Sequence, residues 1–399
     1  MSSNNPILLA YSGGLDTSFC VPWLTETYDR PVVTVTVDTG GLDSVSTDDL
    51  ARRSAALGAQ EHITVDGRAS FFDQVLRYLI FGNIRRGHLY PLCVGAERVI
   101  QAQTMARIAA ELGSDTVAHG CTAAGNDQVR FEVALRTLNP DLQILAPVRD
   151  NSWARADQLA YLEQHGLPMP PGGGAYSINR GLWGVTIGGR ETLGSAESIP
   201  ESAWVLSQGA FDTPRAAERH VLTFDAGVPV ALDSDALDRV ALLEALEGLG
   251  APFGIGRGIH LGDTVLGTKG RVAFEAPAAE IVLTAHRELE KLTLSGWQQR
   301  LKDQVAASYG ELVHVGQHLD PACRDAEALL TSSQTRVSGE VRLLLRPGQV
   351  FVEGVVSAHS LMAASRGAYG EAAGEWSARD AVGYSKLLSL PGMLHTRAA

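Results

Sequence analysis

Ala10-Tyr11-Ser12-Gly13-Gly14-Leu15-Asp16-Thr17-Ser18 is the stretch that decides the fold. Before it, Pro6 to Tyr11 reads as a short buried strand, and after it Thr17 to Tyr28 reads as a helix, with Cys20, Val21 and Leu24 on its apolar side. Pro22 removes one backbone donor from that helix. A strand, two adjacent glycines and a helix start make a phosphate cradle. The glycines allow close backbone approach, and the helix N-terminus aims unpaired N–H groups and a partial positive charge at the same point. Ser12, Thr17 and Ser18 add hydroxyl donors. The lysine of a Walker A loop is absent. Asp16 would repel a phosphate, so it reads as a magnesium ligand or as a residue that orients the loop.

Working outward, Val32 to Val37 is a β-branched central strand ending on Asp38-Thr39-Gly40-Gly41. Ser46 and Asp49 resemble a capping box before a helix that stops at Gly58. A strand ends at Asp66, helices follow at Ser70–Phe81 and Glu97–Leu112, and short strands at Thr116–Ala118 and Ile144–Val148. This alternation predicts βαβ units and a parallel sheet, with ligands beyond the carboxyl ends of the strands. Those ends carry Ser12–Asp16, Asp38–Gly41, Asp66 and His119–Asp127.

The second half differs. Pro168 to Gly174 reads as a linker. Hairpins are expected at Leu222–Leu232 and Val337–Val356, a long helix at Ala285–Ala307, and a late helix capped by Ser377 and Asp380 that ends before Pro391. The fold class is α/β: an N-terminal parallel-sheet nucleotide-binding domain (1–167), a second α+β domain (168–365) and a C-terminal helical arm (366–399).

The whole chain fits this division, since 399 residues suit about two or three domains. Thirty-three basic against 45 acidic residues give a net charge of −12, which argues against duplex DNA or long RNA as a partner. No apolar run approaches a membrane span, no secretory signal is visible, and four scattered cysteines suit a reducing cytoplasm.

The S-G-G-x-D-[ST]-S signature is that of the ATP pyrophosphatase superfamily, whose members split ATP between the α and β phosphates. Residues 10–18 and H-G-C-T-A-A-G-N-D-Q-V-R-F-E (119–132) together resemble the argininosuccinate synthase family. The likeness extends over Y-S-I-N-R-G-L-W-G (176–184), G-T-K-G-R-V-A-F-E-A-P (267–277) and V-S-G-E-V-R-L (337–343). It implies an adenine nucleotide alpha hydrolase-like first domain and a synthetase second domain. It also implies an ATP-dependent carbon–nitrogen ligase of arginine biosynthesis, with a citrullyl adenylate as intermediate and no prosthetic group. Citrulline, aspartate and ATP with Mg2+ are the expected partners, and a homotetramer the expected assembly.

Carried over residue by residue, ATP falls to Ala10, Tyr11, Ser12, Gly13, Gly14, Leu15, Asp16, Thr17, Ser18, Val37, Ala118, His119, Gly120 and Asn126. Aspartate falls to Thr122, Asn126 and Asp127. Citrulline falls to Tyr90, Asn126, Arg130, Ser177, Thr186, Gly262 and Phe274. Ser12, Asp16 and Arg98 are the catalytic candidates, Asp16 also the possible magnesium ligand. An ammonium group suits Asp127, and Arg130 can fork onto a carboxylate. For Arg130 the alternative is a surface or interdomain salt bridge, and for His119 a structural hydrogen bond.

Four positions depart from the family pattern. Cys93-Val94-Gly95 replaces Gly-Thr-Ser, Gly262 replaces a glutamate, Phe274 a tyrosine, and Asn179-Arg180-Gly181 an Asp-Glu-Asn triplet. The first three cluster on citrulline, leaving Asp263 or His260 as substitutes for the lost anion. They keep open a modified ureido substrate, such as an N-acylated one. A thiolating enzyme using Cys93 and Cys121, and an ATP-binding regulator without turnover, are the remaining alternatives. Trp183, Trp204, Trp297 and Trp376 read as core or interface, and Arg52-Arg53 and Arg85-Arg86 as solvated helix faces. Tyr384, Leu387, Leu388 and Leu390 read as an arm that packs on another subunit.

Overall fold

The computed structural model describes residues 5–42, 44–169, 176–213, 215–367, 369–370 and 374–398. Most of the expected linker at 168–174 lies outside them.

Five parallel strands form the first sheet: β1 (Ile7–Ala10), β2 (Val32–Asp38), β3 (Glu61–Asp66), β4 (Thr116–His119) and β5 (Gln143–Leu145), in the order β3-β2-β1-β4-β5. The chain reverses direction across the sheet between β1 and β4, which places a crevice at their carboxyl ends. Ile7 and Leu9 face a core with Phe19, Leu24 and Leu162, while Leu8 faces Met105 and Phe131 on the other side. Helices therefore cover both faces: α1 (Leu15–Tyr28), α2 (Ser44–Ala56), α3 (Arg68–Phe71), α4 (Arg77–Phe81), α5 (Arg98–Glu111), α6 (Asp127–Leu138), α7 (Pro147–Asp150) and α8 (Arg155–Gln164). A π-helical turn, Phe72–Leu76, joins α3 to α4.

That continuous α3–α4 segment does not stay with the first sheet. Phe71, Phe72, Val75, Leu76, Leu79, Ile80 and Phe81 are buried in the large core of the second half, beside Leu242, Ile281 and Tyr309. That core lies among α9 (Arg239–Gly250), α10 (Pro277–Thr293), α11 (Gly296–His314), α12 (Pro321–Gln334) and an antiparallel sheet. The sheet orders β8 (Glu218–Asp225), β9 (Val228–Leu232), β10 (Asp235–Ala236), β13 (Gly339–Arg346) and β14 (Gln349–Val356) as β10-β9-β8-β13-β14. A second antiparallel sheet, β11-β12-β7-β6, joins β6 (Ser177–Gly181), β7 (Gly184–Gly188), β11 (Arg257–Asp263) and β12 (Lys269–Glu275). The chain closes with α13 (Leu361–Ala364) and α14 (Ala378–Ala398).

Four expectations need correction. The helix expected at Ala285–Ala307 is two, because Ser295 and Gln298 cap one another's backbone N–H groups and restart the helix. Pro391 does not end α14; it removes one bond in an exposed helix, where the freed carbonyl meets water. Pro147 and Val148 open α7 instead of extending β5, because proline suits a first helical turn. Trp297 and Trp376 are not core: both are exposed in the single chain, which leaves the interface half of that expectation standing, with Arg300 over the Trp297 ring at 5.0 Å. Pro22 is the eighth residue of α1, held inside it by the burial of Phe19, Cys20, Val21 and Leu24.

Candidate active site

The loop after β1 meets the end of β4. Ala10 pairs with His119 in the ladder. One residue further on, a Cβ at Gly120 would lie 3.1 Å from Asp16 Cβ and 3.0 Å from Thr17 Cγ2. The residues expected to hold ATP, from 10–18 and 118–120, thus form one floor. Gly13 has φ +72°, and a side chain there would collide with Leu50. Gly14 precedes α1 without a side-chain cap, so the helix N–H groups face the crevice unshielded by a cap. Ser12 Oγ and Thr17 Oγ1 are 3.3 Å apart, and Ser12 and Gly14 are exposed. Val37 and Asp38 close the β2 side, where Gly67 N–H donates to the Asp38 carbonyl at 2.7 Å.

Sequence reasoning missed Arg53. The basic pair suggests a solvated side chain, yet Arg53 Nη1 donates to the Gly13 carbonyl at 3.1 Å while Nε pairs with Asp49 at 2.8 Å. Arg85 and Arg86 likewise pair, with Glu280 at 3.0 Å and Glu311 at 3.5 Å. The Arg53–Asp49 pair is an i,i+4 pair and local, but no local signal marks the other three contacts, which span tens to hundreds of residues.

His119 is structural in its contacts. Cys121 N–H donates to its Nδ1 at 3.2 Å, and Nε2 reaches Glu132 at 3.3 Å. The hydrogen bond from His119, then Arg149 and Arg136, hold the Glu132 carboxyl down at about 2. Asp127 is held there too: burial pushes its carboxyl up, and the guanidiniums of Arg98 and Arg130, each at 2.7 Å, more than offset it. Both folded pKa values lie below the ordinary carboxylate range. Their stabilisation is therefore present above about pH 4.5 and lost as pH falls toward 2. Glu132→Gln is expected to flatten the dependence of Tm on pH across that window; parallel wild-type and variant curves would refute the linkage.

Beyond Asp127 the site crosses to the second half. Asn126 Oδ1 accepts from Val265 N–H at 2.9 Å, joining α6 to the β11–β12 turn. Thr122 is exposed on the loop between. Register places Ser177, Thr186, Phe274, His260 and Gly262 on one face of the four-stranded sheet, since Phe274 pairs with Thr186 and Gly258, and Gly262 lies two steps past His260. Tyr90 covers that face, edge-on to Phe274 at 5.2 Å and stacked on His260 at 5.5 Å. The Tyr90 hydroxyl donates to the Val94 carbonyl at 2.9 Å and accepts from Val94 N–H at 3.1 Å. His260 folds over Gly262, where a Cβ would lie 2.5 Å from its Nε2. Asp263 points to the opposite face and pairs with Lys269, so His260 is the better-placed substitute. Burial, then the charge of Arg86, lowers the His260 pKa and keeps the ring neutral. Arg180, of the altered triplet, pairs with Glu247 at 2.7 Å and packs against Gly41.

Cys93 is buried, and burial pushes its thiol well up. A thiol so placed makes a poor sulfur-transfer nucleophile. Among the described residues no group of three or more His, Cys, Asp or Glu could hold a metal, and no helix is long and apolar enough to cross a membrane. A lone carboxylate such as Asp16 fits a magnesium ion that takes its other ligands from phosphates and water.

A parallel sheet with a glycine loop at its switch point, facing a polar seam, defines an ATP-binding enzyme of the HUP class. Residues 6–168 match the family model described as the arginosuccinate synthase N-terminal HUP domain, and 176–395 the arginosuccinate synthase C-terminal domain. The argininosuccinate synthase of Xanthomonas campestris pv. campestris is 41% identical, covering 99% of this chain and 99% of that protein. Those of Xylella fastidiosa and Symbiobacterium thermophilum are 38% and 35% identical, covering 98% and 96% of this chain and the same shares of theirs. The chain belongs to the argininosuccinate synthase family.

Proposed function

We propose that this chain ligates citrulline to aspartate at the expense of ATP. The ureido oxygen attacks the α-phosphorus and diphosphate leaves. The aspartate amine then adds to the ureido carbon, loses a proton and expels AMP. The observation that carries the reading is the seam itself: the 10–18 loop touches Gly120, and the same segment continues through Asn126 and Asp127 to the second half. Three substrates must meet there, and positioning with charge stabilisation supplies most of such catalysis.

In this reading Ser12 to Ser18 cradle the phosphates, Asp127 takes the aspartate ammonium, and Arg130 the citrulline carboxylate. Arg98, whose guanidinium is 3.1 Å from Glu97 and 2.7 Å from Asp127, stays charged beside them. Magnesium held by Asp16 would neutralise phosphate charge. The neutral His260 replaces the missing anion at the amino end of citrulline. The division at 167/168 and 365/366, a cytoplasmic setting and a homotetramer belong to the same proposal. The tetramer is supported by α14, whose Tyr384, Leu387 and Leu388 are each 67% exposed in the single chain.

The test is diphosphate release with ATP, magnesium, citrulline and aspartate, omitting each in turn. Asp16→Asn is expected to abolish release, and unchanged turnover would remove Asp16 from the mechanism. Release on N-acylated citrulline alone would transfer the reading to a modified substrate. ATP binding without release on any pair would make the chain a regulator.

A further inference from the structure

Arg130 occupies a slot built by α6, the 93–97 loop and the end of α11. Its Nε donates to the His314 carbonyl at 2.7 Å, and its Nη2 lies 3.2 Å from His314 Nδ1. One residue therefore takes the whole Nε/Nη2 edge. Nη1 donates to Asp127 at 2.7 Å. Two glycines admit the arginine. A Cβ at Gly95 would lie 2.6 Å from Nη1, and one at Gly316 would lie 2.6 Å from Arg130 Cα. Gly95 also has φ +100°, which disfavours any side chain. His314 ends α11, so its carbonyl has no helical donor and carries the partial negative charge of the helix end. Acceptance at Nδ1 requires a neutral ring with its proton on Nε2.

We propose that His314 is a positioning residue for the ureido substrate. By holding the Nε/Nη2 edge, it presents the remaining Nη1/Nη2 edge, suited to a two-point carboxylate contact, beside Asp127. An ammonium group arriving at Asp127 competes for that carboxylate, and His314 keeps Arg130 from following it. The same slot explains Gly95, since a serine there would collide with the guanidinium. The proposal rests on reading Arg130 as the citrulline carboxylate ligand.

The experiment compares His314→Phe and His314→Asn in the full chain. Phenylalanine keeps the backbone carbonyl and much of the volume but removes the ring acceptor; asparagine restores an oxygen near the Nδ1 position. His314→Phe is expected to raise the citrulline KM roughly tenfold, with kcat and the ATP KM within about twofold. His314→Asn is expected to recover most of the loss. Equal effects on all three substrates, or no rescue, would reduce His314 to packing and overturn the proposal. A double-mutant cycle of His314→Phe with Arg130→Met, read as Tm, separates the two readings. Additive losses overturn the proposal outright. Less than additive losses, in a wild type that turns over no citrulline, would sink the ligase reading while leaving His314 as the residue that positions Arg130.

Discussion

Asp127→Ala is expected to raise the aspartate KM by roughly a hundredfold or more, far above its effect on the citrulline KM. The carboxylate sits between two guanidiniums at 2.7 Å each, with its side chain 28% exposed. Removing it deletes the counter-charge proposed for the incoming ammonium. It also leaves the buried Arg130 without its carboxylate, while Arg98 keeps Glu97 at 3.1 Å, and stranding a largely desolvated guanidinium costs about 3–5 kcal/mol of stability. Initial rates at varied aspartate, measured well below the lowered Tm, keep the two effects apart. A selective loss of citrulline binding would mean that the two amino-acid sites are exchanged.

Lys302→Met carries the other large expected effect, and it falls on stability alone. Lys302 is fully buried on α11, where its Nζ donates to the Phe81 carbonyl at 2.8 Å and pairs with Glu290 at 2.9 Å. Asn83 and Gln334 donate to the same carboxylate at 2.6 Å and 2.8 Å, and both amides reach His286 at 2.8 Å and 2.9 Å. Methionine fills the volume but leaves the buried carboxylate with the two amides and only a distant cation, Arg287 at 3.7 Å, at a cost of about 3–5 kcal/mol. Tm should fall by roughly 5 °C or more, with substrate KM values unchanged. A Tm loss below about 2 °C would mean that Glu290 takes up a proton at little cost.

What the sequence made legible was local. The strand, the glycine loop and the helix of residues 6–28 follow one another within a few turns of chain, so periodicity and turn chemistry suffice. The reciprocal cap at Ser295 and Gln298 was equally local, and the apolar rhythm running across it hid the break. The second-half contacts are another matter. Arg130 and His314 are 184 positions apart, and Lys302 and Phe81 are 221 apart. A buried lysine looks in sequence like any solvated helix residue, and a glycine that admits a guanidinium looks like any loop glycine. The departures at Gly95 and Gly262 were visible as substitutions, but their meaning depends on which side chain fills the space they leave.

The α3–α4 segment sets a limit on how this enzyme can be taken apart. Seven apolar side chains between Phe71 and Phe81 leave from the nucleotide half and finish inside the other. The nucleotide half is thus not a cassette that can be lifted out or exchanged: it carries a keel shaped to another hull. A change in the second core is felt by a helix only a short stretch of chain from the β2 side of the crevice. The boundary between halves is therefore sharper along the sequence than it is in space.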